Sequence, residues 1–141
     1  MEYKRFDKKI IARFDRGEEV HASLKNLALK EDIKLASISA LGATDDFTIG
    51  VYKLDDKFYT EKNFKGIFEI LSINGTITTK NGEYYPHLHI SVADDKGNGF
   101  GGHLISANIS ITCEMVIDII DGRVDRKEDQ EIGINLFDFD K

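Results

Sequence analysis

The stretch "GIFEILSINGTITTKNGEYYPHLHISVADDKGNGFGGHL", residues 66–104, decides how this chain is read. Residues 66–92 are rich in β-branched and aromatic side chains, the composition of strands. Lys80-Asn81-Gly82 carries a tight hairpin turn between a strand ending near Thr79 and one starting near Tyr84. Asn74-Gly75 is a second turn candidate. A turn there would leave Thr76–Thr79 as a very short strand, so a bulge or kink within one long strand is preferred.

In the strand that begins at Pro86, alternation puts His87, His89 and Ser91 on one face and Leu88, Ile90 and Val92 on the other. The apolar face belongs to the core, which leaves two imidazoles side by side, ~7 Å apart at Cα. Three of the four histidines of the chain fall between residues 87 and 103. Whether His103 joins the pair depends on the glycine-rich turn. A five-residue loop, Asp94–Asn98, pairs Ala93 with Gly99 and His89 with His103. A six-residue loop turns His103 to the core face beside Ile90, unless a bulge in Gly99–Gly102 restores the pairing. Three neutral imidazoles with an open fourth position suit a divalent metal, zinc first among them. The bland alternative is two surface histidines and a third packed in a hairpin.

Two carboxylates interrupt apolar strands. Glu69 shares a face with Ile67, Leu71 and Ile73, so it needs a cation or backbone N–H groups as partner. Glu114 shares one with Ser110 and Thr112. Both are candidates for an acid/base role or for a place behind the metal ligands, with a structural role as the simpler reading. Cys113 faces the apolar side of its strand and reads as a small core residue.

Outward from this stretch, "DRGEEVHASLKNLALKEDI" places Val20, Leu24, Leu27, Ala28 and Leu29 near helical spacing, and Asp15 with Glu18 has the form of a capping box. This predicts one helix at about residues 17–31. His21 lies off its apolar face and reads as a surface histidine. Thereafter the period is two. "LASISALGA" alternates around Ile38 and Ala40, and Phe47, Ile49 and Val51 share one side of the next strand, with Gly42 between the two. "NISITCEMVIDII" places Ile109, Ile111, Cys113, Met115 and Ile117 on one face. "RVDRKEDQE" is charged enough to read as a surface loop, and the tail "IGINLFDFD" is apolar enough to want a cover, from its own subunit or a neighbour.

The 141 residues suffice for one domain, 1–141, with a core that needs no disulfide. A single cysteine fits a reducing compartment, and no apolar run approaches the ~20 residues that span a bilayer. The reading is therefore cytoplasmic, with no membrane partner. A net charge of −6 argues against a surface built to bind nucleic acid, although the first sixteen residues are locally basic. The expected architecture is α+β: a mostly antiparallel sheet or partly closed barrel with one principal helix.

"RFDRGEEV", "GIFEILSINGTI", "HLHISVADDKGNGFGGHL" and "CEMVI" together resemble the plants-and-prokaryotes-conserved (PPC) domain family, prokaryotic branch. The resemblance spans nearly the whole chain. It implies a homotrimer, with a metal site at the matching histidines His87, His89 and His103. Prokaryotic members are often labelled DNA-binding. Plant members carry an AT-hook beside the domain, absent here, and a Gly-Arg-Phe-Glu-Ile-Leu motif in which Ile67 replaces the arginine. Three functions follow as expectations: a trimeric metal-binding protein of unassigned activity, a DNA-binding or transcription-associated protein, or a metal-dependent enzyme acting on a small molecule.

Overall fold

The computed structural model describes residues 1–140. Eight strands and one helix follow in the order β1 (Glu2–Phe6), β2 (Lys9–Asp15), α1 (Val20–Lys30), β3 (Ala36–Lys53), β4 (Phe58–Lys80), β5 (Glu83–Asp94), β6 (Gly99–Ile119), β7 (Asp125–Glu128) and β8 (Asn135–Asp138). The main sheet runs β1-β2-β6-β3-β4-β5, with every pairing antiparallel. Because β5 also pairs with β6, strands β3 to β6 close into a ring and β2 and β1 extend from it. The fold is thus the α+β, partly closed antiparallel sheet that the sequence pattern predicts. Among the described residues no helix is long and apolar enough to cross a membrane.

The period of two fills the ring. Ile10, Ala12 and Phe14 of β2, Ile38 of β3, Leu88, Ile90 and Val92 of β5, and Met115 and Ile117 of β6 all point into one core. Helix α1 closes it with Val20, Leu24, Leu27 and Ala28. Each Leu or Ile buried this way contributes roughly 1.5–3 kcal/mol of transfer free energy. Cys113 is a fully buried member of the core, and burial pushes its thiol up to about 12. Asn81 and Gly82, with φ of 52° and 81°, make the two-residue turn that joins Lys80 to Glu83.

Several expectations need correction. The helix begins three residues later than its pattern suggests, because Glu19 is the N-cap: its carboxylate accepts from the backbone N–H of Ala22. Glu18 instead accepts from the N–H of Asp15, closing the turn between β2 and the helix. Leu29 is exposed, off the buried face. Gly42 does not separate two strands. It lies inside β3, where a Cβ would meet the Thr112 carbonyl oxygen at 2.2 Å, so glycine is what lets β6 approach. At 75 the ladder is regular, and the irregularity of β4 falls between Ile70 and Ser72. Gly75 is there for clearance, since its Cβ would lie 1.9 Å from the His87 carbonyl oxygen.

A register shift in β6 between Ile109 and Cys113 turns Ile111 out to solvent. Val51 shares the side of Phe47 and Ile49 but lies past the end of the core on the β3–β4 arm, and is exposed. The charged run after Gly122 is not a surface loop. It contains β7, whose Asp125 and Arg126 are only 3% and 6% exposed, and β8 from the apolar tail pairs with it. Thr79 donates to Asp125, and Arg126 Nε donates to Thr78, so two β4 hydroxyls anchor this segment to the ring.

Candidate metal centre

Strand β5 presents His87 and His89 on the face opposite Leu88 and Ile90, as alternation requires. The third histidine arrives through the β5–β6 hairpin. Ala93 pairs with Gly99 and His89 with His103, the register of a five-residue connection. Asp94 makes that length specific. Its Oδ1 accepts from the N–H groups of Lys96 and Asn98, its Oδ2 accepts from the Asn98 amide, and Gly97 takes a φ of 81° to let the chain return. The register of β6 is set a second time from the other side, where Gly50 of β3 faces His103.

The three imidazoles therefore converge. Their ring centroids lie 5.2, 5.3 and 5.6 Å apart, and one nitrogen from each ring falls within 4.8 Å of the others. No aspartate, glutamate or cysteine joins the group among the described residues. Burial, then the charge of Arg126 and then His89, holds His87 below the usual imidazole value. Burial, helped by His87, His89 and His21, pulls His103 down to about 4. Both rings are consequently neutral at pH 7, the protonation state a metal ligand needs. Buried Nδ1 of His103 has no hydrogen-bond partner among the described residues, an orphaned donor or acceptor that costs free energy until something bonds to it. The residues present thus fit a borderline divalent cation, one open to further coordination because only three ligands are offered.

The surroundings come from elements the sequence reading did not connect to the site. Gly50 has no side chain where Tyr59 Cδ1 would lie 2.8 Å from a Cβ, and the Tyr59 ring sits 4.9 Å from that of His103. The β7–β8 segment roofs the histidines and leaves a cavity of about 200 Å³, into which Tyr59, Tyr85, His87, His103, Arg126 and Asn135 project. A second hollow, bounded by Tyr52, Ile134 and the three histidines, adjoins it. His21 is not a free surface histidine: its Nε2 lies 2.9 Å from the Leu104 carbonyl oxygen, next to His103.

Glu69 and Glu114 do not reach the histidines. Glu69 pairs with Ala43 and Ala93, shares an exposed face with Ile67 and Leu71, and makes no side-chain hydrogen bond or ion pair among the described residues. Ile73 left that face through the irregularity at Leu71, so the apolar layer around Glu69 is solvent-facing in the single chain and the demand for a partner lapses. Glu114 lies exposed between Leu41 and Arg13. Arg126, Tyr85 and Tyr59 were missed because nothing local marks them. A lone arginine in a charged run and two tyrosines in long strands look like surface residues until the chain folds.

The sequence pattern of the Plants and Prokaryotes Conserved (PCC) domain matches residues 1–121. A comparison with curated protein sequences finds no match. Among solved structures, the chain is similar to a "putative DNA binding protein" from Bacteroides thetaiotaomicron, with 28% identity, TM-score 0.96 and coverage of 99% of this chain and 98% of that one. It is similar to the metal-containing protein AF0104 from Archaeoglobus fulgidus, with 30% identity, TM-score 0.87 and 96% of each chain covered. It also resembles a plant- and prokaryote-conserved (PPC) protein from Pyrococcus horikoshii, with 26% identity, TM-score 0.83 and coverage of 96% and 93%. On the match over residues 1–121 and the agreement in fold along almost its full length, the chain belongs to the Plants and Prokaryotes Conserved domain family.

Proposed function

We propose that this chain is a metal-binding PPC-domain protein that assembles as a homotrimer and holds a divalent cation, zinc by preference, on His87, His89 and His103. One observation carries the metal: among the described residues, three imidazoles from two strands converge within 4.8 Å without a carboxylate in the group. Soft-to-borderline nitrogen ligands in a set of three, with a position left open, are the donor set that zinc takes when it also binds a further molecule. The Archaeoglobus relative, at 30% identity, is described as metal-containing. The trimer is supported by Leu41, Ile67, Leu71 and Ile111, which are 55–81% exposed on the outside of the ring. A second reading, nucleic-acid binding, has the name of the Bacteroides relative in its favour.

The deciding experiment is elemental analysis of protein purified without a histidine tag. The expected result is one metal ion per chain in the wild type and almost none in His89→Ala. Wild-type metal content in His89→Ala removes His89 as an essential ligand and the proposed centre with it.

A further inference from the structure

Arg126 holds a cation in a place that shows no anion. The residue is only 6% exposed, and it forms no salt bridge among the described residues. Asp125, its neighbour in β7, points the other way, toward Thr79 and Arg123. The guanidinium is fixed by Nε to Thr78 Oγ1 at 2.8 Å and by Nη1 to the Asn135 carbonyl oxygen at 2.9 Å. It is sandwiched between the rings of Tyr85 and Phe137, 4.8 and 4.5 Å from their centroids. Nη2 is enclosed without a hydrogen-bond partner among the described residues, and so is the Oδ1 of Asn135, another residue of the cavity wall. Ring faces soften a buried charge but do not neutralise it, and an unpaired buried cation is costly.

The same cavity contains His87 and His103, and among the described residues neither it nor the adjoining hollow is lined by a carboxylate. A divalent ion on the three imidazoles adds two further positive charges beside Arg126. The resulting charge of +3 in a cavity lined by no carboxylate among the described residues calls for a negative ligand. Tyr85, which accepts from the Asn135 amide, keeps its own O–H free to donate, and Tyr59 contributes a second phenol. Ile134 and the tyrosine rings supply apolar wall for a short carbon skeleton, in a volume of about 200 Å³.

We propose that this cavity is the binding site of a small organic carboxylate, one end of which coordinates the metal on His87, His89 and His103 while its carboxylate also engages Arg126. The shared chemistry is that of a small oxyanion, and inorganic phosphate is the competing source. This inference rests on the metal reading above, so its test separates the two.

Malonate, acetate and inorganic phosphate are titrated calorimetrically into zinc-loaded wild type, Arg126→Met and Arg126→Lys, with zinc content measured on the same samples and circular dichroism confirming the fold. The expected result is malonate binding to the wild type at least tenfold tighter than phosphate. Arg126→Met keeps its zinc and loses tenfold or more of that affinity, and Arg126→Lys falls between. If Arg126→Met does not fold, Tyr85→Phe serves in its place, and a crystal of the wild type grown with malonate places the carboxylate against Nη2 or excludes it. Equal malonate affinity in wild type and Arg126→Met, phosphate preferred over malonate, or no binding of any of the three to zinc-loaded wild type each overturns the proposal. A wild type that takes up no zinc defeats the metal reading by itself; tenfold tighter malonate binding by metal-free wild type than by metal-free Arg126→Met then supports the Arg126 part of the proposal, and equal binding overturns it.

Discussion

Gly75 and Asp125 show how single residues here act through neighbours distant in sequence. A Cβ at 75 would press on the carbonyl oxygen of His87, a backbone atom that cannot rotate away. Gly75→Ala is therefore expected to cost about 3 kcal/mol or more, read from urea unfolding, because overpacking against backbone is relieved only by parting β4 from β5. A loss within experimental error would show that the two strands tolerate separation. Asp125 is a test of linkage. Hydrogen bonding from Thr79, then from the backbone N–H groups of Gly82 and Asn81 and the charge of Arg123, holds its carboxyl below the usual carboxylate range despite burial. A depressed folded-state value adds stability that is complete above the unfolded-state value and is lost as pH falls through the folded one. Asp125→Asn should thus melt below the wild type at pH 7, and the gap should narrow as pH drops below about 4. A gap independent of pH between 7 and 3 would mean that packing, rather than charge, is what the aspartate provides.

At the scale of elements, the β5–β6 hairpin carries the site and β3 guards its register. Sequence alternation put His87 and His89 together without ambiguity, but left His103 to a choice between loops of five and six residues. Asp94 decides in favour of five by bonding across the loop. The pairing of Gly50 with His103 and of Ile49 with Leu104 fixes the same register independently. Lengthening a surface loop by one residue costs only a fraction of a kcal/mol in closure entropy, whereas slipping β6 would drive Leu104 out of the core. One glycine inserted between Lys96 and Gly97 is accordingly expected to lower the melting temperature slightly and leave the metal content unchanged. Loss of the metal in this variant would show that the loop alone sets the position of His103.

Across the whole molecule, the ring of β3 to β6 has an outer face that a single chain leaves uncovered. Ile67 is 81% exposed and Leu71 58% exposed on β4, with Ile111 at 68% on β6. Under the proposed assembly these residues are buried between subunits. Ile67→Lys combined with Leu71→Lys should therefore convert the trimer to monomers in sedimentation velocity, and an unchanged sedimentation coefficient would place the interface elsewhere. Assembly also bears on nucleic acid: three chains of −6 give −18, so long-range repulsion from phosphate grows with trimer formation. No mobility shift of duplex DNA is expected at ~50 mM salt. A shift that weakens steeply as salt rises would revive the nucleic-acid reading.

By itself the sequence determined the alternation of the strands, the Asn81-Gly82 turn, the single helix and the placing of His87 and His89 on one face of a strand. Each is a local property, written in periods of two or 3.6 residues and in the φ preferences of glycine and asparagine. The tertiary structure alone decided where irregularities fall, and with them the fates of Ile111 and Glu69, and where the core ends, which leaves Val51 exposed. It alone turned a charged run into β7 and buried Arg126 beside the histidines. Those outcomes depend on which backbone lies across the ladder and how closely it approaches, and pairing between strands many residues apart leaves no mark in the spacing of either one.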